Sequence, residues 1–213
     1  MMMAAAPMVF VVDDDSAVRK SLTRLLTSAG YAVEAFASAR EFLARSPHPG
    51  PCCLVLDVRM PGLTGLELQE RLVAGGHRLS IVFVTGHVDV PESVEALKGG
   101  AVDLLTKPVD AEDLIAAVQR CIAKSAQDMS TTARVTEVQR RVKLLTAREM
   151  EVFALVVTGM LNKQIAGALG IGEKTVKVHR ARVMEKMQAG SVAELVRLAD
   201  AVGVIVPSPT KVQ

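Results

Sequence analysis

The feature that most constrains this chain is a regular alternation of short apolar runs with amphipathic segments over its first 124 residues. The apolar runs have the length of buried strands, and the segments between them have the length and periodicity of helices. The runs are 9–12, 31–36, 53–56, 81–84 and 101–105, and the helix-like segments are 16–29, 38–45, 65–74, 91–98 and 110–124. Strands separated by helices pair in parallel through right-handed crossovers. The pattern predicts an α/β fold with a doubly wound, five-stranded parallel sheet.

From Thr146 onward the pattern changes to helices alone. Thr146 and Glu149 have the spacing of a capping box that opens a first helix. Helices over about 163–169 and 174–187 follow, joined by the turn Gly170-Ile171-Gly172, and a last helix begins near Ser191. Short helices with a glycine turn between the second and third are typical of a helix-turn-helix module. We therefore expect residues 146–213 to form a small all-α domain.

A more polar stretch, residues 125–145, separates the two patterns. Val135, Val138, Val142 and Leu145 recur in it at spacings of three and four, as on one face of a helix. Two interpretations fit: a two-helix coiled coil, or a helical linker that packs this stripe on its own C-terminal domain. The second is favoured because the stretch is short. The predicted organisation is a domain at 1–124, a helical linker at 125–145 and a domain at 146–213.

Charge is distributed unevenly along the chain. Residues 1–121 hold 11 Lys/Arg and 15 Asp/Glu, and residues 122–213 hold 14 and 8, so net charges of −4 and +6 make up the total of +2. Phosphate contacts need Lys and Arg, so the second part is the one expected to meet nucleic acid. No apolar run approaches the roughly 20 residues of a membrane helix. With no secretory signal recognised, we expect a cytoplasmic protein without membrane contact.

Polar residues follow the predicted strands at the point where each ends. Asp13-Asp14-Asp15 follow the first strand, Asp57 the third, Thr85 the fourth and Lys107-Pro108 the fifth. The carboxyl ends of parallel strands converge on one crevice, so these residues should meet there. Carboxylates packed together are costly unless a cation lies among them, and oxygen ligands without His or Cys favour Mg²⁺. The sequence thus predicts a magnesium site.

Such a site suits phosphoryl transfer, which needs positioning and charge neutralisation rather than elaborate covalent chemistry. Asp57 can act as a carboxylate nucleophile that accepts a phosphoryl group. The ammonium of Lys107 and the hydroxyl of Thr85 can each bind a phosphoryl oxygen.

These motifs resemble the receiver domains of the FixJ/NarL branch of two-component response regulators. The similar segments are Val12 to Asp15, Leu56 to Gly62, Val84 to His87 and Thr106 to Pro108. The resemblance implies a flavodoxin/CheY-like receiver in which Asp57 is phosphorylated by a histidine kinase. It also implies that Asp13, Asp14, Asp57 and the Arg59 carbonyl bind Mg²⁺, and that the Lys107-Pro108 peptide is cis. One departure is Leu104, which occupies a switch position that is often aromatic, so signalling is expected through repacking of Leu104 or through the loop from Gly86 to Pro91.

The C-terminal part is similar to the LuxR-type helix-turn-helix output domain. The similarity lies in Leu145 to Val152, Asn162 to Ala166 and Lys174 to Arg180. At about 100° per residue, Val176, Val183 and Met187 form a core stripe on the third helix. Lys174, Lys177, Val178, Ala181 and Arg182 then face the major groove, and His179 and Arg180 on the flanks contact phosphates. The predicted DNA-binding residues are Lys174, Thr175, Lys177, Val178, His179, Arg180, Ala181 and Arg182.

The resemblance further implies a transcription regulator rather than an enzyme. Its expected partners are a sensor histidine kinase, promoter DNA, RNA polymerase and, when phosphorylated, a second copy of the chain. The family dimerises through helix four and strand five, which here means the surface around Val94, Leu97, Lys98 and Val102.

Two alternatives remain open from the sequence. Asp13 and Asp15 also spell the Asp-x-Asp of haloacid-dehalogenase-type phosphatases, although Ala17 stands where that motif needs Thr or Val. The other is a pseudo-receiver that is constitutive or operated by a ligand while the DNA-binding half is kept.

Overall fold

The computed structural model describes residues 5–77, 79–86 and 90–204, with the backbone alone described for residues 90–93. The chain divides into two compact units, Met1–Ser130 and Thr131–Gln213. Each unit has hydrophobic core residues of its own. No helix in the described part of the chain is both long and apolar enough to cross a membrane.

Parallel strands form the centre of the first unit. They are β1 (Met8–Val12), β2 (Ala32–Phe36), β3 (Cys52–Asp57), β4 (Ser80–Thr85) and β5 (Asp103–Thr106). Within the described residues these five strands form one sheet in the order β2-β1-β3-β4-β5, and every neighbouring pair is parallel. Every residue of β3 and β4 is buried, which explains why both strands appear in the sequence as continuous apolar runs.

Helices cover both faces of this sheet. They are α1 (Ser16–Ser28), α2 (Ala39–Ala44), α3 (Gly65–Ala74), α4 (Val90–Lys98) and α5 (Ala111–Val142). Phe42 of α2, Leu68 of α3 and Ala96 of α4 belong to one core cluster, whereas Leu26 of α1 and Leu114 of α5 belong to the other. The prediction of a doubly wound α/β fold is confirmed.

Helix α5 is longer than the sequence pattern predicted. We expected a helix ending near residue 124, but α5 runs to Val142 through most of the predicted linker. Its sequence contains neither Gly nor Pro, so its serines and threonines have no helix breaker beside them. An i,i+4 ion pair between Lys124 and Asp128, with a Nζ–Oδ2 distance of 2.9 Å, adds local support. The domain boundaries at 124 and 146 stay a prediction.

The second unit is helical and contains α6 (Ala147–Val157), α7 (Asn162–Leu169), α8 (Glu173–Met187) and α9 (Val192–Ala201). Val152, Ile165, Val183 and Leu195 bring all four helices into one core. Val138 of α5 is buried in the same core, and Val142 and Leu145 pack against it. Three of the four residues of the stripe, Val138, Val142 and Leu145, therefore pack on the C-terminal unit, as the second interpretation expected.

Candidate functional site

The carboxyl ends of β1 and β3 bring three carboxylates together. Asp13 follows β1 directly and Asp57 is the last residue of β3. One side-chain oxygen each from Asp13, Asp14 and Asp57 lie within 4.8 Å of one another. Asp13 and Asp57 are buried and Asp14 is exposed. The arrangement is a partly enclosed acidic crevice of the kind expected from the strand ends.

Lys107 bridges the two buried carboxylates. Its Nζ atom lies 2.7 Å from Oδ2 of Asp13 and 2.8 Å from Oδ2 of Asp57. The Lys107-Pro108 peptide is cis, as the resemblance implied. The Lys107 backbone N–H donates to the carbonyl of Thr85 at 2.8 Å. This bond holds Lys107, which follows β5, next to the last residue of β4. One ammonium group thus offsets part of the repulsion between Asp13 and Asp57.

The environment shifts the pKa values of two of these groups. Burial raises the pKa of Asp13 above its usual value, because the opposing hydrogen bond and charge of Lys107 do not fully offset the loss of solvent. Burial also acts against the charged form of Lys107, but the hydrogen bonds to Asp13 and Asp57 outweigh it and raise the pKa of Lys107. Lys107 therefore stays a cation in the site.

The predicted switch residues lie on the neighbouring strands. Thr85 is buried at the end of β4 and is paired with Thr106 of β5. Leu104 is half-buried, lies opposite Phe83 in the sheet, and packs against the core on the side of α2, α3 and α4. The predicted signalling loop from Gly86 to Pro91 includes residues 87–89, which lie outside the described residues.

Asp15 has a structural role that is not among those predicted from the sequence. Its Oδ1 accepts hydrogen bonds from the backbone N–H groups of Ala17 at 2.7 Å and Val18 at 3.3 Å, so it caps the N-terminus of α1. Its carboxylate is therefore engaged in the cap, whereas the phosphatase alternative requires the second Asp of Asp-x-Asp for chemistry.

Gly65 and Arg19 also shape the crevice, although neither is among the residues predicted from the sequence. A Cβ atom on Gly65 would lie 2.2 Å from the backbone oxygen of Asp57, so only glycine fits there without a shift. Nη1 of Arg19 donates to the backbone carbonyl of Asp13 at 2.6 Å. A capping box between Thr64 and Glu67 was a signal that could have drawn attention to Gly65.

The chemistry of this donor set fits a magnesium ion. The clustered ligand atoms are all carboxylate oxygens, which hard divalent cations prefer, and the exposed Asp14 leaves one side open to solvent. The Arg59 backbone N–H donates to Oδ1 of Asp57 at 3.3 Å, so the backbone of Arg59 lies beside the acidic cluster.

The second unit presents a polar helix face suited to DNA. Val176, Val183 and Met187 of α8 are fully buried, as predicted. Most of the predicted contact residues are exposed, namely Lys174, Thr175, Lys177, Val178, Ala181 and Arg182. Gly170, in the left-handed conformation with a φ of 64°, ends α7 and allows the turn into α8.

His179 and Arg180 differ from the other predicted contacts because both are half-buried. Nη1 of Arg180 donates to Oδ1 of Asn162, the first residue of α7, at 3.0 Å. Among the described residues, Nδ1 of His179 is buried and has no hydrogen-bond partner.

A buried ion pair joins α8 to the start of α6. Nζ of Lys186 lies 2.6 Å from Oε2 of Glu149, which is only 2% exposed and also accepts from the Thr146 backbone N–H. The bond from Lys186, followed by that from Thr146, lowers the pKa of Glu149 from 4.5 to about 2. Glu149 is therefore ionised in the folded unit and helps to hold α8 in place.

Comparison with protein families identifies both parts of the chain. The family described as response regulator receiver domain matches residues 9–119. The family described as bacterial regulatory proteins, luxR family, matches residues 143–199. These matches favour a regulator over the phosphatase alternative.

Individual proteins resemble the chain over nearly its whole length. The transcriptional regulatory protein FixJ of Azorhizobium caulinodans is 47% identical over 196 residues, covering 92% of this chain and 93% of the relative. Nodulation protein W of Bradyrhizobium diazoefficiens is 44% identical over 196 residues, covering 92% and 86%. The solved structure of the response regulator StyR matches with a TM-score of 0.81 and 44% identity, over 92% of this chain and 99% of that one.

Proposed function

The chain belongs to the FixJ/LuxR-type transcriptional response regulators of two-component systems, and from this membership we propose that a histidine kinase phosphorylates it on Asp57. The observation that carries the proposal is the bridge from Lys107 to Asp13 and Asp57 in a cluster of three carboxylates. The bridge fixes the position of Asp57, the proposed acceptor. It also places beside Asp57 the ammonium group of Lys107, which can bind the incoming phosphoryl group.

The transfer can be written with the residues present. An oxygen of the Asp57 carboxylate attacks phosphorus, the bond from phosphorus to the kinase imidazole nitrogen breaks, and that nitrogen keeps the electron pair. Lys107 then binds one phosphoryl oxygen, and the hydroxyl of Thr85 donates to another. Small phosphoryl donors such as acetyl phosphate should serve in place of the kinase, and hydrolysis of the acyl phosphate restores Asp57.

We propose that Mg²⁺ binds to the carboxylates of Asp13, Asp14 and Asp57 and to the backbone carbonyl of Arg59. When bound, this ion neutralises charge that develops on the transferred phosphoryl group. Asp14 is the exposed member of the cluster, so an ion held there would be accessible from solvent.

Intact mass after incubation with acetyl phosphate and Mg²⁺ tests the acceptor. We expect one phosphoryl adduct on the wild type, and none on Asp57→Asn or without Mg²⁺. Asp15→Asn is the matched control, because it changes a neighbouring carboxylate that caps α1, and it should keep the adduct. No adduct on the folded wild type would instead support the pseudo-receiver alternative, in which Asp57 is not used.

We further propose that α8 reads promoter DNA in the major groove. The exposed residues Lys174, Thr175, Lys177, Val178, Ala181 and Arg182 would contact base edges, and His179 and Arg180 would contact phosphates. Lys can donate to guanine acceptors, and the methyl groups of Val178 and Ala181 can touch a thymine methyl. Both phosphorylation by a kinase and binding to the chromosome require the cytoplasm, where we propose that the protein acts.

Phosphorylation is proposed to produce a dimer that binds DNA. Movement of Thr85 would repack Leu104 on the adjacent strand and alter the surface around Val94, Leu97, Lys98 and Val102. Val94 and Leu97 are exposed apolar residues of α4, as a dimer surface requires. If Asp57→Asn dimerised as readily as the phosphorylated wild type, this link would be wrong. RNA polymerase is the further partner expected if the protein activates transcription.

A further inference from the structure

The hydrogen bond between Arg180 and Asn162 joins the two helices of the helix-turn-helix. Arg180 lies in the second turn of α8 and Asn162 is the first residue of α7, with 3.0 Å between Nη1 and Oδ1. Both side chains are half-buried. The bond is therefore only partly exposed to solvent.

The position of Arg180 on α8 explains why it needs an anchor. It lies four residues after the buried Val176 and three before the buried Val183, so it projects beside the core rather than from the outward face. Lys174 and Val178 project outward and need no such support to reach a DNA groove. A long side chain at the edge of the core contacts a phosphate more of the time when its direction is already fixed, because ordering a free Arg side chain costs conformational entropy.

The hydrogen-bond partner of Arg180 is a neutral amide, so the bond leaves the positive charge of Arg180 intact. Within the part of the chain that the structure describes, Arg180 forms no ion pair with a carboxylate. An amide oxygen orients the guanidinium without cancelling its charge, whereas an Asp or Glu there would do both. The full positive charge thus remains available to an anion.

Helix capping does not explain the presence of Asn162 at the start of α7. The N-cap of α7 is Leu161, which is 69% exposed and offers no side-chain oxygen. Asn is a preferred N-cap residue, but Asn162 stands one position later and its oxygen accepts from Arg180. The residue is therefore used for contact with α8 rather than for the start of α7.

We infer that Asn162 is a positioning residue that aims the guanidinium of Arg180 at a DNA phosphate. This inference rests on the proposed phosphate contact of Arg180. It predicts that the Asn162–Arg180 pair contributes to the sequence-independent part of DNA affinity and to its dependence on salt, not to the choice of bases.

The test is the affinity of the full-length protein for a fluorescein-labelled duplex of mixed sequence, measured by anisotropy between about 50 and 200 mM salt. Arg180→Ala should flatten the plot of log affinity against log salt by about 1. Asn162→Ala keeps every charge, yet it should weaken binding at each salt concentration and flatten the slope by about half as much, because the contact is formed only part of the time. Arg197→Ala, on the exposed surface of α9, removes the same charge elsewhere and should leave the slope nearly unchanged.

A double variant separates positioning from general damage to the fold. If Asn162 acts through Arg180, adding Asn162→Ala to Arg180→Ala should change neither slope nor affinity further. Asn162→Asp retains the acceptor but neutralises the guanidinium, and it should lose as much affinity as Arg180→Ala while thermal unfolding stays close to that of the wild type.

The outcomes distinguish the inference from the proposal beneath it. If Arg180→Ala leaves the salt slope unchanged, the phosphate contact itself is wrong and the inference falls with it. If Arg180→Ala flattens the slope but Asn162→Ala only lowers the melting temperature, the phosphate contact stands and Asn162 merely ties α7 to α8. Equal losses from Asn162→Ala with and without Arg180 would also overturn the inference.

Discussion

At the scale of single residues, the charge balance around Lys107 determines what the crevice can accept. Its ammonium contacts Asp13 and Asp57 at the same time, so one cation serves two anions. The cluster with Asp14 is therefore net negative, and a phosphoryl group would add to that charge. A further cation is needed for the transfer, which is a physical argument for magnesium independent of the resemblance.

Glu149 supports a prediction on pH. Because its pKa falls from 4.5 to about 2 on folding, the ionised pair with Lys186 stabilises the second unit fully above pH 4.5 and loses that effect as the pH falls toward 2. Glu149→Gln should therefore lower the free energy of unfolding by about 1 to 2 kcal/mol at neutral pH, allowing for the partial exposure of Lys186.

Calorimetry of the full-length wild type and Glu149→Gln across the acid range checks this expectation. The difference between the two proteins should shrink steadily below pH 4.5, since other titrating groups are common to both. Glu151→Gln, an exposed neighbour on α6, is the control and should change the stability little. A constant difference across the whole range would show that the charge of Glu149 is not the cause.

The residues of the crevice differ in how far the sequence could predict them. Asp13, Asp57, Thr85 and Lys107 lie at the carboxyl ends of strands or directly after them, and the convergence of parallel strand ends brings them together whatever the loops do. The close approach of Gly65 to Asp57 depends on the path of one loop, which apolar periodicity does not encode.

At the scale of elements, strands and helix starts were predictable because each has a local signal. The end of α5 was not, because the polar segment after residue 124 looks the same whether it is a loop or a solvated helix. Its helical state depends on tertiary packing, with Val138 buried against the second unit's core. The contact from Asn162 to Arg180 was hidden for a similar reason, since it requires the crossing of α7 over α8.

Helix α4 allows a prediction about the proposed dimer surface. Leu97 is 52% exposed on α4, and Leu97→Asp should place a charge in the dimer interface and weaken association of the phosphorylated protein by at least tenfold. Leu43 of α2 is 41% exposed and lines a cavity formed by α2, α3 and the loop before α3, away from the surface around Val94, Leu97, Lys98 and Val102. Leu43→Asp therefore makes the same Leu-to-Asp change as a matched control and should leave dimerisation unchanged.

Light scattering after acetyl phosphate treatment measures this association, and intact mass measures phosphorylation in the same samples. Both variants should carry the phosphoryl adduct, so that a loss of dimer is not a loss of modification. If Leu97→Asp dimerises like the wild type, or if Leu43→Asp fails equally, α4 is not the interface that we propose.

At the scale of the whole molecule, the chain separates two chemistries by charge. Net charge is −4 over residues 1–121, which hold the acidic crevice, and +6 over residues 122–213, which hold α8, the helix that we propose binds DNA. An acidic first part is repelled by DNA, and a basic second part is attracted to it over about a Debye length. Phosphorylation adds negative charge to the first part, so it cannot raise DNA affinity through direct attraction. Any increase has to come from a change in conformation or assembly.

Assembly makes a distinct prediction about the DNA sequences that the protein selects. Two copies related by a two-fold axis present two copies of α8, so the phosphorylated protein should enrich symmetric sites from a random duplex library, with half-sites separated by about one helical turn or a multiple of it. Asp57→Asn under the same conditions should enrich single half-sites at lower affinity, since each copy keeps the exposed Lys174, Lys177 and Val178.

Inserting about half a helical turn between the half-sites should reduce binding of the phosphorylated wild type sharply, because the two copies of α8 would then face opposite sides of the duplex. Single half-sites from both proteins would mean that phosphorylation acts within one copy of the chain rather than through a dimer.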